Sequence, residues 1–403
     1  MPRTIRVSRN PGEPGSNTEP RTATSASIEC LTTPALLLDE SRMMRNITRL
    51  RARLAERGVT LRPHLKTPKS IEVARRVMDA PGGPATVSTL LEAEQFSSGG
   101  VRDILYGVGV APSKLERVTA LRRQGVDLSV VVDNVDAARA VAEHSRRTND
   151  RIPSLIEIDS DGHRAGVRFE DTANLLAIGK TLHAGGAELR GVMTHAGESY
   201  SCRSIEEIVA IAERERVAAV GCATVLRAAG LPVPVVSVGS TPTAHLAADL
   251  TGVTEVRAGV FVFFDLVMAG LQVCAVDDIA VSVLATVIGH QASKGWILVD
   301  AGWMAMSRDR GTASQRIDQG YGVVCSVDGV PYPDLIMVQA NQEQGILAVR
   351  SGSGASLPKL PIGSLVRILP NHACATAAQH ANYELIRTGS PEIVAQWPRF
   401  RGW

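Results

Sequence analysis

No C-x-x-C pair occurs in this 403-residue sequence, and its six cysteines, Cys30, Cys202, Cys222, Cys274, Cys325 and Cys374, fall at irregular spacings. That excludes the disulfide framework of a small secreted scaffold and fits reduced thiols in a cytosol. Five of the six read as small apolar fillers; Cys374 stands apart because His372 lies two positions before it. Charge of one sign is also missing. The 43 basic and 41 acidic residues leave a formal net charge of +2, which points to neither nucleic acid nor an acidic membrane surface. No apolar run is long and uncharged enough to span a bilayer. The nearest, Val256 to Val276, is interrupted by Arg257 and Asp265 and reads as strand. The first thirty residues hold Arg, Ser, Thr, Pro and Gly with no apolar core for a secretory signal, so residues 1–31 are expected to form a flexible tail or an arm over a partner subunit. Finally, no G-x-G-x-x-G follows the first expected strand, which speaks against an open, doubly wound nucleotide-binding sheet.

What is present is alternation. Met43, Ile47, Leu50 and Leu54 recur at helical spacing before Gly58. Eight β-rich runs follow: Val59–Pro63, Ala85–Thr89, Asp103–Gly107, Asp127–Asp133, Ser154–Ser160, Leu189–His195, Val235–Ser240 and Thr254–Ala258. Helical stretches such as Ser113–Gln124, Asn134–Arg147 and Ser204–Ala229 separate most of them, the arithmetic of a (β/α)8 barrel over residues 32–270. Beyond it the helical period fades. Ile279–Gly289, Gly295–Asp300, Gly322–Val327, Ile346–Val349 and Ser364–Leu369 read as strands of a β-rich domain over 271–403, which the early run Ala35–Leu38 could join.

Barrel active sites lie at the C-terminal ends of the strands. Strand one ends at His64 and Lys66, strand five at Asp159 with Arg164 just beyond, and strand six at His195 with Tyr200 following. Strand seven ends at Gly239-Ser240-Thr241, where backbone N–H groups and hydroxyls without bulk suit a phosphate. A desolvated lysine at a strand end can form an imine with a carbonyl cofactor. His372 and Cys374, if extended, point an imidazole and a thiolate the same way, a pairing that favours zinc over magnesium or calcium. Each residue also has a plainer reading. Lys66 is then a surface charge, His64 and His195 are buried structural imidazoles, Arg164 pairs with Asp159, and Tyr200 simply packs.

Taken in order, these segments resemble the D-threonine aldolase and D-serine dehydratase family of pyridoxal-phosphate enzymes. The resemblance runs from about Thr33 to the C-terminus. Its anchors are Thr33-Pro34-Ala35, Arg62-Pro63-His64-Leu65-Lys66-Thr67, Asp159-Ser160-Asp161-Gly162-His163-Arg164-Ala165-Gly166, Thr194-His195-Ala196-Gly197, Val238-Gly239-Ser240-Thr241-Pro242-Thr243 and Pro370-Asn371-His372-Ala373-Cys374. It implies an alanine-racemase-like barrel, a β domain and a homodimer. It further implies that Lys66 holds pyridoxal 5'-phosphate as a Schiff base, that His64, Arg164 and His195 surround that cofactor, and that Gly239, Ser240 and Thr241 cradle its phosphate. His372 and Cys374 would hold a divalent metal, zinc before manganese or magnesium, and Lys66, His195 and Tyr200 would face a small D-amino acid. Two departures stand out. The family's lysine motif often continues Thr-His-Lys, whereas this chain has Thr67-Pro68-Lys69. The aldolase branch commonly has Asp as second metal ligand and the dehydratase branch Cys, so Cys374 leans toward a dehydratase.

The expected activity is therefore a lyase of D-β-hydroxy amino acids, first a D-serine or D-threonine type dehydratase giving a 2-oxo acid and ammonia. The rivals are a D-threonine or 3-hydroxy-D-aspartate aldolase giving glycine and an aldehyde, a racemase, and a non-catalytic carrier of the cofactor. Serine, threonine and 3-hydroxyaspartate differ only in the substituent on Cβ, and the sequence leaves that choice open.

Overall fold

The computed structural model describes residues 26–162 and 164–403. The tail expected over residues 1–25 lies outside the described residues. Its assumed last residues, 26–31, are instead ordered: Ala26–Ser27 pairs with Glu392–Ile393, and Ile28–Cys30 forms a 3-10 turn.

Helix Glu40–Ala55 shows why the first barrel layer forms. Asp39 caps it by accepting the Arg42 N–H at 3.0 Å. Its stripe Met43, Ile47, Leu50 and Leu54 is essentially fully buried, each side chain contributing roughly 1.5–3 kcal/mol of apolar transfer. All eight expected barrel strands are present, at Thr60–Pro63, Ala85–Val87, Asp103–Gly109, Asp127–Val132, Pro153–Asp159, Glu188–Thr194, Val235–Val238 and Glu255–Ala258. They pair in parallel in chain order, and the last pairs with the first. Strand two meets the chain just beyond the end of strand one, where Leu65 N–H donates to Thr86 O at 2.8 Å. Six of the strand-to-strand connections are helical as expected, including Leu115–Arg123, Val135–Thr148 and Ile205–Ala228, and the short seventh link holds the six-residue helix Thr241–Leu246.

Alternation along the strands sorts the side chains. Ile104, Val130, Ile156, Val192, Val236 and Val256 face outward onto the helices. Leu105, Val131, Leu155 and Met193 form a separate small cluster inside the barrel. The rest of the interior is polar. Arg62 binds Glu255 at 2.8 Å and Asp103 at 2.7 Å, Glu255 accepts from Ser237 at 2.6 Å, and Ser237 meets Arg257 at 2.5 Å. Buried charges persist only when so paired. This network ends directly beneath the strand termini, at Arg257.

A second, antiparallel sheet holds Val281–Gln291, Trp296–Val299, Gly345–Val349, Pro331–Ala340, Gly322–Cys325 and Leu365–Pro370, which pair in that order and close back on the first. Ala35–Asp39 extends the sheet beside Val281–Gln291, followed by Asn382–Ile386 and Ala395–Pro398. Pro331–Ala340 has no counterpart in the expected strands because Pro331, Pro333 and Asp334, the last at φ 50°, read as a turn. Asn382–Ile386 and the short strands after it were likewise not anticipated. The run Val256–Val276 is strand only as far as Ala258; a 3-10 turn at Val260–Val262 and a helix at Leu266–Gly270 follow. No helix among the described residues is long and apolar enough to cross a membrane.

Candidate active site

A cavity of about 500 Å³ opens at the C-terminal ends of the barrel strands and is closed on its far side by the β domain. All ten residues singled out from the sequence line it: His64, Lys66, Arg164, His195, Tyr200, Gly239, Ser240, Thr241, His372 and Cys374.

Lys66 is held out into the cavity by its neighbours. Leu65 and Thr67 are fully buried on either side. The following carbonyl, Pro68 O, accepts from Tyr383 Oη at 2.8 Å and from Arg399 Nε at 3.0 Å, so the β domain anchors the lysine loop. Lys69, at φ 43°, pairs with buried Glu92 at 3.1 Å and points away. His64 sits beside Lys66 with its Nε2 3.4 Å from Ser88 Oγ. Burial, then the charges of Lys66 and Arg257, hold its pKa well below the ordinary imidazole value, so the ring is neutral.

His195 Nδ1 lies 3.0 Å from Gly239 O. A carbonyl only accepts, so Nδ1 carries the proton and Nε2 keeps a lone pair. Burial lowers the His195 pKa to about 3, against that bond and with help from Arg164 and Lys66. Tyr200 packs with its ring centroid 6.2 Å from that of His195, and burial pushes its hydroxyl pKa up, so it remains a donor. Arg164 makes no ion pair with Asp159 among the described residues. Asp159 instead accepts the Gly162 N–H at 2.6 Å, and the loop closes at Gly166, where a Cβ would meet Asp159 N at 2.5 Å.

The loop after strand seven differs from the expectation in detail. Gly239 is at φ 133°, and a Cβ there would lie 2.2 Å from Arg257 O, so no other residue fits. Yet its N–H is committed to Glu215 at 2.8 Å, and Ser240 N–H to Thr243 Oγ1 at 3.0 Å in a helix cap. The open groups belong to Thr241: its buried hydroxyl has no partner, and its N–H reaches only Tyr200 Oη, at 3.5 Å.

His372 and Cys374 meet, but not as an extended pair. His372 occupies the residue before the short helix Ala373–Ala377, without bonding its N-terminus through the side chain, and Cys374 lies in the first turn. Both side chains line the cavity, and Cys374 Sγ is 3.2 Å from Thr67 Oγ1, next to Lys66 in the chain. Against burial, the hydrogen bond of His372 to Asp309 and the neighbouring Cys374 raise its pKa to about 11; burial raises that of Cys374, but His372 and Thr67 bring it below the ordinary thiol value. The turn is fixed from both sides. Asp265 accepts Met268 N–H and Ala373 N–H at 3.0 Å each, and Asn371 holds Thr312 Oγ1 at 2.9 Å and Gly320 O at 2.7 Å.

Three residues of this region escaped the sequence reading. Asp309 Oδ2 is 2.6 Å from His372 Nδ1, and nothing marks it in sequence, 63 positions away. Asp265 was visible only as a polar break in an apolar run. Glu215 had a clearer signal: it falls on the buried stripe Ile208, Ile211, Ala212, Ala218 and Cys222 of a barrel helix.

A barrel of this topology with a lysine at the end of its first strand and a β domain over its mouth is alanine-racemase-like. The alanine racemase N-terminal domain family matches residues 38–267 and a serine dehydratase domain family matches residues 280–386. The D-threo-3-hydroxyaspartate dehydratase of Delftia sp. (strain HT23) is 55% identical, covering 93% of this chain and 98% of that protein; its solved structure superposes with TM-score 0.90 at 54% identity, covering 94% and 100%. The D-serine dehydratase of Dictyostelium discoideum is 30% identical over 93% of this chain and 98% of its own length. The D-threonine aldolase from Filomicrobium marinum superposes with TM-score 0.78 at 26% identity, covering 93% and 96%. The chain belongs to the D-serine dehydratase and D-threonine aldolase family, and is an enzyme of that pyridoxal-phosphate-dependent class, a lyase of D-β-hydroxy amino acids.

Proposed function

We propose that the chain is a metal-assisted dehydratase of D-threo-3-hydroxyaspartate, releasing oxaloacetate and ammonia. The observation that carries this reading is that Lys66 and the His372–Cys374 pair face one cavity, with the thiol bonded to the residue beside the lysine. The 55% identical relative bears that activity in its name. Solved variants of that protein include one with a histidine and one with a cysteine replaced by alanine, two positions apart, and the cysteine variant is described as metal-free. His372 and Cys374 have the same types and spacing.

The residues fit both groups. The cavity has one lysine on its wall, a loop that only Gly239 can close, and an unpartnered Thr241 hydroxyl where a phosphate oxygen could accept. When bound, pyridoxal 5'-phosphate serves as an electron sink for charge released at Cα. Lys66 would hold it and, once displaced by the substrate amine, take the Cα proton on Nζ. Neutral His195 would pack beside it as an acceptor through Nε2, while Tyr200, which keeps its proton, would offer its hydroxyl as a hydrogen-bond donor to the substrate. His372 and Cys374 lie on the same cavity wall, where they would hold a divalent cation with positions left for water and the β-hydroxyl. Such a cation would assist hydroxide departure as a Lewis acid.

Asp309 supports that role. By accepting from Nδ1 it leaves Nε2 of His372 for the metal. Asp309→Ala should weaken metal affinity by about 10- to 100-fold, as read by chelator competition, with cofactor absorbance unchanged. Unchanged affinity would mean that the contact does not orient the ligand.

The finer attributes follow from the same reading: zinc as the metal, since a thiolate is one ligand; a homodimer; and a cytosolic site, which the six free cysteines favour. Product analysis tests the activity. Incubation with D-threo-3-hydroxyaspartate and zinc or manganese should yield oxaloacetate with ammonia. Glycine with glyoxylate would show an aldolase instead. Turnover of D-serine or D-threonine but not of the diacid would move the substrate assignment.

A further inference from the structure

The geometry points to Glu215 as a positioning residue that holds the His195 loop and the Gly239 loop in one arrangement by accepting a backbone N–H from each. Glu215 is 2% exposed, on the helix Ile205–Ala228 that follows strand six, at a position where the helix otherwise buries apolar side chains against the barrel. One oxygen, Oε1, accepts Ala196 N–H at 3.0 Å and Gly239 N–H at 2.8 Å. A buried carboxylate is expensive unless its lone pairs are used, and here they are used on the two segments that line the cavity.

The consequence concerns His195. Its C-terminal peptide is held through Ala196 N–H, and its ring donates to Gly239 O, whose own N–H is held by the same Glu215 oxygen. Glu215 thereby constrains both ends of the imidazole: where its backbone lies and which nitrogen carries the proton. With Nδ1 committed, Nε2 faces the cavity as an acceptor. The bond between Ser199 Oγ and Ser240 Oγ, 2.8 Å, joins the same two loops a second time, so the clasp is a network rather than a single contact.

This inference rests on the reading of the cavity as a cofactor site, and the experiment separates the two. Full-length protein, stripped of cofactor, is titrated with pyridoxal 5'-phosphate by absorbance. The histidine-ring nitrogens are read by 15N NMR, with His195 assigned through His195→Asn. Glu215→Gln keeps an acceptor oxygen on both N–H groups, so affinity should stay within about threefold and His195 should keep its Nδ1–H tautomer. Glu215→Ala leaves both N–H groups without a protein acceptor; affinity should fall by about tenfold or more and His195 should become a tautomer mixture. Glu215→Ala that binds as tightly as wild type with an unchanged tautomer overturns the assignment, even if its melting temperature falls. So does a tenfold loss in folded Glu215→Gln, which decides the matter if the alanine variant does not fold. Wild-type protein that takes up no cofactor would instead overturn the site reading itself.

Discussion

Replacing Lys66 by alanine should lower turnover by about four orders of magnitude or more and abolish the visible absorbance of the bound cofactor. Both losses have one cause. Among the described residues Lys66 is the one lysine on the cavity wall, flanked by buried Leu65 and Thr67. Lys69, three positions on, cannot substitute because it is paired with Glu92 at 3.1 Å. Lys66→Arg should fail almost as completely: the guanidinium keeps the charge but neither forms an imine nor gives up a proton near neutral pH. A Lys66→Ala protein that retained the absorbance band, or more than a few per cent of turnover, would remove this lysine from the reaction.

The second large effect falls on the other wall. His372→Ala or Cys374→Ala should remove the metal and lower turnover by roughly 10²- to 10⁴-fold, the range that several kcal/mol of Lewis-acid assistance represents. The cofactor band should persist, because no bond to the lysine loop is broken except the 3.2 Å contact between Cys374 Sγ and Thr67 Oγ1. That contrast separates a metal-ligand role from a general collapse of the site. Cys374→Asp keeps an anionic ligand and should lose less than Cys374→Ala. Metal analysis of each purified variant, with chelator treatment of the wild type in parallel, makes the comparison. A metal-free variant with wild-type turnover would show that the cation is incidental to the elimination.

The two variants bracket a division of labour between the parts of the molecule. The barrel presents Lys66, His195 and the Gly239 loop; the β domain brings His372 and Cys374 over them. Polar contacts at the site join the halves in addition to one apolar core that runs through both. Asp265, just beyond strand eight, accepts from Ala373, and Pro68, two residues beyond Lys66, accepts from Tyr383 and Arg399. A cavity assembled this way is sensitive to substitutions that touch no ligand. Asp265 illustrates it: burial raises its pKa to about 6, opposed by His372 and by the N–H groups it holds.

Legibility from sequence followed the range of the interactions involved. The helix Glu40–Ala55 and the eight strands were visible because period and breaker residues are local signals, and each strand's neighbours needed no separate derivation once the count reached eight. Lys66, Arg164, His195, Gly239 and Thr241 could be placed at the site because barrel topology brings every strand's C-terminal end to one rim. Pro331–Ala340 was missed because two prolines and a positive-φ Asp334 look like a turn when they in fact bend a strand. Asp309 was missed because a single loop aspartate carries no periodicity, and Glu215 because one acidic residue on an apolar helix stripe has no meaning until the N–H donors it accepts from are seen.

The sequence by itself determined the fold class through its alternating β/α pattern, and through its resemblance to a known family it marked the lysine at the first strand end and the H-x-C pair. Only the tertiary structure decided which groups remain available for chemistry. Gly239 and Ser240 N–H groups, which looked free to bind a phosphate, are already committed to Glu215 and Thr243, and the open donor is Thr241. His372 and Cys374 converge because a helix begins between them and Asp265 and Asp309 hold that turn, not because a strand alternates. Hydrogen-bond donors and acceptors are satisfied by whichever partner folding brings within about 3 Å, and here Asp309 reaches His372 across 63 positions and Asp265 reaches Ala373 across 108.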